Sequence, residues 1–176
     1  LLVVLLRFIL QLVRANFYNP ICQFTVKATQ TLLKPMRRVI PSVLGLDMSS
    51  LVLAILVQMV VFAIVLTLSY IPFNVLGLLV WAIIGVTALF LKVFFFAMII
   101  SVILSWVAPG GASPAAELVN QITEPALAPF RRMLPSMGGL DISPILAFMV
   151  IQLIQSYVIP PLAVYVNMPP ELFGLI

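Results

Sequence analysis

The chain contains no histidine, a single cysteine (Cys22) and five acidic residues among 176. Without histidine, imidazole acid–base catalysis and His-ligated zinc or haem are excluded. One cysteine allows neither an internal disulfide nor a thiolate metal cluster, and no cofactor is expected. Charge of either sign is scarce: 8% of residues are charged and 64% are apolar, with a mean hydropathy of +1.27. A soluble domain carries about 25% charged residues, and this chain has too little polar surface to coat a water-exposed globule. Soluble enzymes, disordered chains and direct nucleic-acid binders are therefore disfavoured, and an integral membrane protein remains.

What the chain does have is long apolar runs. Ser50 to Ile71 is 22 residues without a charge, closed by Pro72. Val75 to Val107 is 33 residues interrupted only by Lys92, and Ile142 to Val166 is 25 residues with Pro160-Pro161 near its far end. Leu1 to Val13 is 13 residues, about 20 Å of helix against a hydrocarbon core of about 30 Å. The chain opens in mid-run without Met, so this helix is expected to begin upstream. The 33-residue run is longer than one span requires. Either it tilts strongly, or residues 75–86 lie along the interface and the span is about Thr87 to Trp106. The second reading is preferred: Lys92 then sits about one turn inside and snorkels outward, avoiding the cost of about 3 kcal/mol for Lys at the midplane.

Basic residues set the orientation. The connection from Asn16 to Ser49 carries Lys27, Lys34, Arg37 and Arg38, and that from Ala108 to Asp141 carries Arg131 and Arg132. The turn Pro72–Asn74 and the tail from Asn167 carry no Lys or Arg. With four spans both basic loops fall on one side, and the positive-inside rule makes that side cytoplasmic.

These two loops are copies. A shift of 94 residues lays Pro35-Met36-Arg37-Arg38-Val39-Ile40-Pro41-Ser42 on Pro129-Phe130-Arg131-Arg132-Met133-Leu134-Pro135-Ser136, and Gly45-Leu46-Asp47-Met48-Ser49 on Gly139-Leu140-Asp141-Ile142-Ser143. Gln58 falls on Gln152, and ten of the 24 positions from Pro35 to Gln58 are identical. A repeat of this strength means one duplicated unit. Each unit is span, cytoplasmic segment, span, so the two are parallel about an axis along the membrane normal. The expected fold is an all-α membrane protein of four transmembrane helices in two such repeats, residues 1–71 and 87–176, with 72–86 as connector.

Each unit also carries an amphipathic stretch. Asn19-Pro20 and Ser113-Pro114 read as an N-cap followed by Pro at the first helical position. Gln23, Lys27, Gln30 and Lys34 form a polar stripe opposite Ile21, Phe24, Ala28 and Leu32. Glu117, Gln121 and Glu124 occupy the same register in the second copy, opposite Ala115, Leu118, Ile122 and Ala126. This is helical periodicity, and it suggests short helices lying in the interface. Pro125 is expected to stop the second one early.

The polar residues admit several roles. Asp47 and Asp141 precede spans and read first as helix caps; the sharper reading pairs them with Arg37, Arg38, Arg131 or Arg132 in a polar pocket. The arginines read as topology determinants, as contacts to anionic lipid headgroups, or as a docking site for a partner protein. Gln58 and Gln152 lie about two turns into spans, where such groups usually hydrogen-bond between helices. Cys22 reads as a small interfacial apolar residue.

The duplicated N/S-P, P-x-R-R-x-x-P-S and G-L-D-x-S pattern resembles the YggT family of small bacterial inner-membrane proteins, over nearly the whole chain. One departure is visible: Leu44-Gly45 and Ser49-Ser50 stand where the second copy has Gly138-Gly139 and Ser143-Pro144. The resemblance implies a bacterial inner-membrane location. It also implies association with osmotic and cation tolerance and with cell division, and, through plastid relatives, with nucleoid distribution and assembly of a cytochrome complex. It carries over no catalytic residue. The expected function is a non-enzymatic scaffold or assembly factor whose partners are membrane lipids and other membrane proteins or itself. The alternative is a small channel or transport accessory, for which Gln58, Gln152 and Lys92 are the intramembrane polar candidates.

Overall fold

The computed structural model describes residues 1–43, 45–107, 113–133 and 143–176, with the backbone alone at 105–107. Among these residues the fold is all helical: α1 (Leu2–Leu12), α2 (Pro20–Met36), α3 (Met48–Leu68), α4 (Val75–Val107), α5 (Pro114–Met133), α6 (Ser143–Leu153) and α7 (Ile159–Tyr165). A π-helical turn, Ile154–Val158, joins α6 to α7, and a 3₁₀ turn, Pro170–Leu175, follows. Three helical stretches are long and apolar enough to cross a membrane: Met48–Leu68, Val75–Leu104 and Ser143–Tyr165. The 11 residues of α1 reach about 17 Å.

Local chemistry sets the helix ends. The Asn19 side chain accepts from Ile21 N–H at 3.0 Å, and Ser113 Oγ accepts from Ala116 N–H at 3.1 Å. Pro20 and Pro114 follow these caps, where a missing N–H costs nothing. Asn74 caps α4 through Gly77 N–H at 2.6 Å. α1, α3 and α7 end in the paired back-bonds of a Schellman motif, with Arg14, Tyr70 and Asn167 at the left-handed position.

Two helices run differently from the sequence expectation. The division of residues 75–107 at Thr87 is not seen, because α4 is unbroken. No proline interrupts it, and Gly85 is used for packing and not for a break. α5 continues through Pro125 and Pro129 to Met133. Both prolines are exposed on one face, so the carbonyls that lose a donor face outward, where other groups can satisfy them.

Packing follows the helix period. On α3, Ala54, Gln58, Phe62 and Leu66 are buried while Leu56, Val60, Ile64 and Leu68 are exposed. An apolar stripe turned outward suits hydrocarbon, not water. The interior forms two clusters. One joins α1 to α6 at the end bearing the arginines, around Leu5, Ile9, Leu33 and Met98. The other, at the opposite end, gathers Phe62, Leu66, Trp81, Ala163 and Leu172, with Trp81 Nε1 donating to the Val166 carbonyl at 3.1 Å.

Gly85 sets the α3–α4 crossing. A Cβ there would lie 2.9 Å from Gln58 Nε2 and 3.0 Å from Phe62 Cζ, and Phe62 is fully buried with no room to yield. Small residues at such crossings let membrane helices approach closely. Gly85→Leu is expected to cost about 1–3 kcal/mol, measured as a lower unfolding midpoint in mild detergent. An unchanged midpoint would refute the close crossing.

Candidate functional site

A charged cluster lies where α1, α2, α3 and the loop after α2 meet. Arg7, Gln11 and Arg14 are spaced four and three residues apart on α1 and its end, and so share one face. On α2, Thr25 and Thr29 are buried, each hydroxyl donating to the carbonyl four residues back. The loop turns back at Gly45, whose φ of +79° lies in the left-handed region that favours glycine. Val43 and Leu46 exchange backbone hydrogen bonds at 2.9 and 3.1 Å across this turn, which brings Asp47 to the start of α3.

Asp47 stands at the N-cap position of α3, but its carboxylate accepts no backbone N–H. Its Oδ2 instead receives Arg37 Nε at 3.0 Å and Ser50 Oγ at 2.8 Å, together with Arg37 Nη2. Arg7 Nε lies 3.8 Å from the same oxygen. Arg7 is 7% exposed and also donates to Thr29 Oγ1 at 2.6 Å and to the Val26 carbonyl at 3.0 Å. Gln11 closes the knot, accepting from Asp47 N–H at 3.2 Å and donating to the Gly45 carbonyl at 2.7 Å. Burial pushes the Asp47 carboxyl up. The hydrogen bonds from Arg37 and Ser50 and the charges of Arg37 and Arg7 outweigh that, holding it below its ordinary value.

A cavity of about 820 Å³ opens beside this knot, lined by Arg7, Arg14 and Arg37 together with Gln11, Gln30 and apolar side chains. Cys22 also borders it; burial, with Glu117 adding, pushes its thiol up, which disfavours the thiolate. A second, shallower groove of about 630 Å³ runs along α2 between Lys27, Lys34 and Arg38 and shares Gln30. Among the described residues no cluster of acidic or thiol side chains is arranged to hold a metal ion.

The other expected residues are dispersed. Arg38 and Arg132 are exposed. Arg131 Nη1 donates to both Glu124 oxygens at 2.7 and 2.8 Å. Asp141 lies outside the described residues. Gln58 is buried against Gly85, whereas Gln152 is exposed and donates to Ser156 Oγ on its own helical rod at 3.2 Å. Lys92 Nζ donates to the Ile176 carbonyl at 2.6 Å. Residues 7, 11 and 29 were not singled out in the sequence. The available signal was two polar residues four apart, Arg7 and Gln11, in an otherwise apolar run.

α2 has three facets instead of two. The polar stripe Gln23, Lys27, Gln30 and Lys34 is exposed, and the face packed on the protein is Cys22, Thr25, Thr29 and Leu33. Phe24 and Leu32 point away from the protein, 66% and 56% exposed. At about 100° per residue these sets divide the helix into roughly equal thirds. Such a helix can face protein, hydrocarbon and water at once. The turn that enters α2 is also clasped to α5: Asn16 N–H donates to Gln121 Oε1 at 2.9 Å, Asn16 Nδ2 to Glu117 at 3.2 Å, and Nδ2 of the cap residue Asn19 to the Pro114 carbonyl at 2.6 Å.

Among the described residues these features define an all-α protein with three helices long and apolar enough to cross a membrane and, at one end, an Arg–Asp–Arg knot in which Arg7 and Asp47 are buried and Arg37 is exposed. The chain belongs to the CCB3/YggT family, whose profile matches residues 1–68 and 80–162. It is similar to protein PA0392 of Pseudomonas aeruginosa, 60% identical over 174 residues covering 98% of this chain and 88% of that one. A protein from the proC 3′ region of Vibrio alginolyticus is 39% identical over 159 residues, 86% of this chain and 83% of its own. Protein YggT of Escherichia coli K12 is 36% identical over 159 residues, 88% of this chain and 80% of its own. No solved structure matches the chain.

Removing one partner of a buried ion pair strands the other. Asp47→Asn is expected to lower stability by about 3 kcal/mol, read as a denaturation midpoint in detergent. Because folding lowers the Asp47 pKa, its stabilisation is complete above the ordinary value of 3.8 and is lost as pH falls through the folded value. The parent should therefore lose stability on acidification below about pH 4 more steeply than the Asn variant. Parallel pH profiles would refute the ion pair.

Proposed function

We propose that this protein is a non-enzymatic scaffold or assembly factor, multi-pass in the bacterial cytoplasmic membrane. Its two interfacial helices form one cytoplasmic platform for partner proteins and anionic lipids. The observation that carries the proposal is the clasp between α2 and α5 through Asn16 and Asn19. It joins two amphipathic helices 94 residues apart in sequence into a single surface. Lys27, Lys34, Arg37 and Arg38 lie towards one end of it, and Arg131 and Arg132 at the end of the second helix. A fixed array of charges on a rigid element favours recognition over non-specific attraction. In this reading α1 is the fourth crossing, and α1–α3 and α4–α7 are parallel repeats. Support comes from the 94-residue repeat and from packing: α1 lies on α2 and α3, as α4 lies on α5 and α6.

Changing Arg37, Arg38, Arg131 and Arg132 together to Lys keeps the charge but removes the planar fork that grips carboxylate and phosphate bidentately. The four-Lys protein should insert normally, with reporters after residues 38 and 132 cytoplasmic and at residue 74 periplasmic. It should retain several-fold less partner protein or anionic lipid on purification at matched expression. Parental retention would reduce these arginines to a topology signal.

A transport-accessory reading has one observation in its favour. Lys92, Gln152, Gln155 and Ser156 line a cavity of about 340 Å³ between α4 and the α6–α7 rod. Gln155 Nε2 is buried there without a hydrogen-bond partner among the described residues. If this cavity serves a solute, Lys92→Leu should abolish complementation of a deletion strain in high salt while leaving expression unchanged. Full complementation would remove this reading.

A further inference from the structure

We propose that the cavity between α1, α2 and the Gly45 turn is a binding site for the phosphate of an anionic phospholipid. The inference rests on the reading that this end of the bundle lies at headgroup level, and it gives the lipid contact a specific place.

The charge balance points to an anion. Three guanidiniums, Arg7, Arg14 and Arg37, line the cavity. Asp47 is already shared by Arg7 and Arg37, and Glu117, which acts on Cys22 in the cavity wall, is held by Asn16 and Gln121. Three cations against these two carboxylates leave the lining net positive. Arg7 is almost wholly buried, where unbalanced charge is costly. Lys27, Lys34 and Arg38 line the adjoining groove and raise the potential further. Basic pockets between membrane helices on the cytoplasmic side suit phosphate headgroups. The remaining walls are apolar: Leu10, Leu12, Phe17 and Val26 line the same space. A ligand with a phosphodiester joined to hydrocarbon satisfies both halves of this lining. A free anion satisfies only one.

Two further observations mark this cavity as distinct. The repeat does not duplicate it: the positions 94 residues after Arg7 and Arg14 are Ser101 and Ala108. Ser101 Oγ instead donates to Asn120 Oδ1 at 3.1 Å. Arg14 also holds a backbone φ of +53°, a conformation that is strained for arginine and relaxed for glycine. Here the cation at the rim occupies a place where folding alone favours glycine.

That conflict supplies the test. Arg14→Gly removes the charge and relieves the backbone. Parent and variant, purified full length in mild detergent, are incubated with phosphatidylglycerol or phosphatidylcholine, and bound lipid is counted by native mass spectrometry. The parent should retain phosphatidylglycerol over phosphatidylcholine. Arg14→Gly should retain about fivefold less of it with an equal or higher melting temperature. Tyr70→Gly, which relieves the same left-handed backbone at the other end of α3 and removes no charge, should keep parental retention. Arg14→Asn, which also tolerates the left-handed region, should repeat the glycine result. Equal retention of the two lipids, parental retention by both Arg14 variants, or an equal loss in Tyr70→Gly would overturn the site. Displacement of the lipid by inorganic phosphate alone would overturn the lipid as occupant. The scaffold reading fails separately, if the reporter after residue 38 is periplasmic or the four-Lys protein keeps all its partners.

Discussion

The Asp47 carboxylate is the point on which the arginine-bearing end of the molecule depends. One oxygen ties Arg37 at the end of α2 to Ser50 in α3, with Arg7 of α1 beside it. Three helices and a loop therefore share one charge. In a low-dielectric setting such a contact is directional, and it is costly to leave half made. Apolar packing alone would let α1 rotate or slide against α3, since leucines are interchangeable in hydrocarbon. The carboxylate fixes register, and Thr29 and the Val26 carbonyl of α2 complete the seat for Arg7.

Much of the fold was legible because its signals are local. Asn19-Pro20 and Ser113-Pro114 announce helix starts by chemistry within three residues, and Met48–Leu68 announces itself by composition. The errors arise where tertiary context decides. Pro125 ought to end a helix, but its lost hydrogen bond falls on an exposed face. The 33 residues of α4 looked too long for one element, but Gly85 serves α3 and does not break α4. The helical period sets Phe24 and Leu32 away from Lys27, as the structure has them, but it divides α2 into two faces only. The third facet, the threonine seat, is invisible until α1 is placed against it.

The site was less legible than the fold, and for a related reason. The internal repeat draws attention to what both halves share, and Arg37 and Asp47 are shared. Arg7, Gln11 and Arg14 are not, and they lie in or beside an apolar run. The two halves share Arg37 and Asp47 with Arg131 and Asp141 in sequence, and they differ at positions 7 and 14. Where the first half places Arg7 against threonine and carboxylate, the second places Ser101 against Asn120.

The unequal lengths of α3 and α4 bear on the surrounding bilayer. The 21 residues of Met48–Leu68 span about 32 Å, close to the thickness of a hydrocarbon core. The 30 residues of Val75–Leu104 span about 45 Å, which fits the same core only at a tilt of roughly 45–50°. The two are locked together at Gly85 and cannot adjust independently. A hydrocarbon core matched to α3 therefore leaves apolar surface of α4 beyond it unless the pair tilts together.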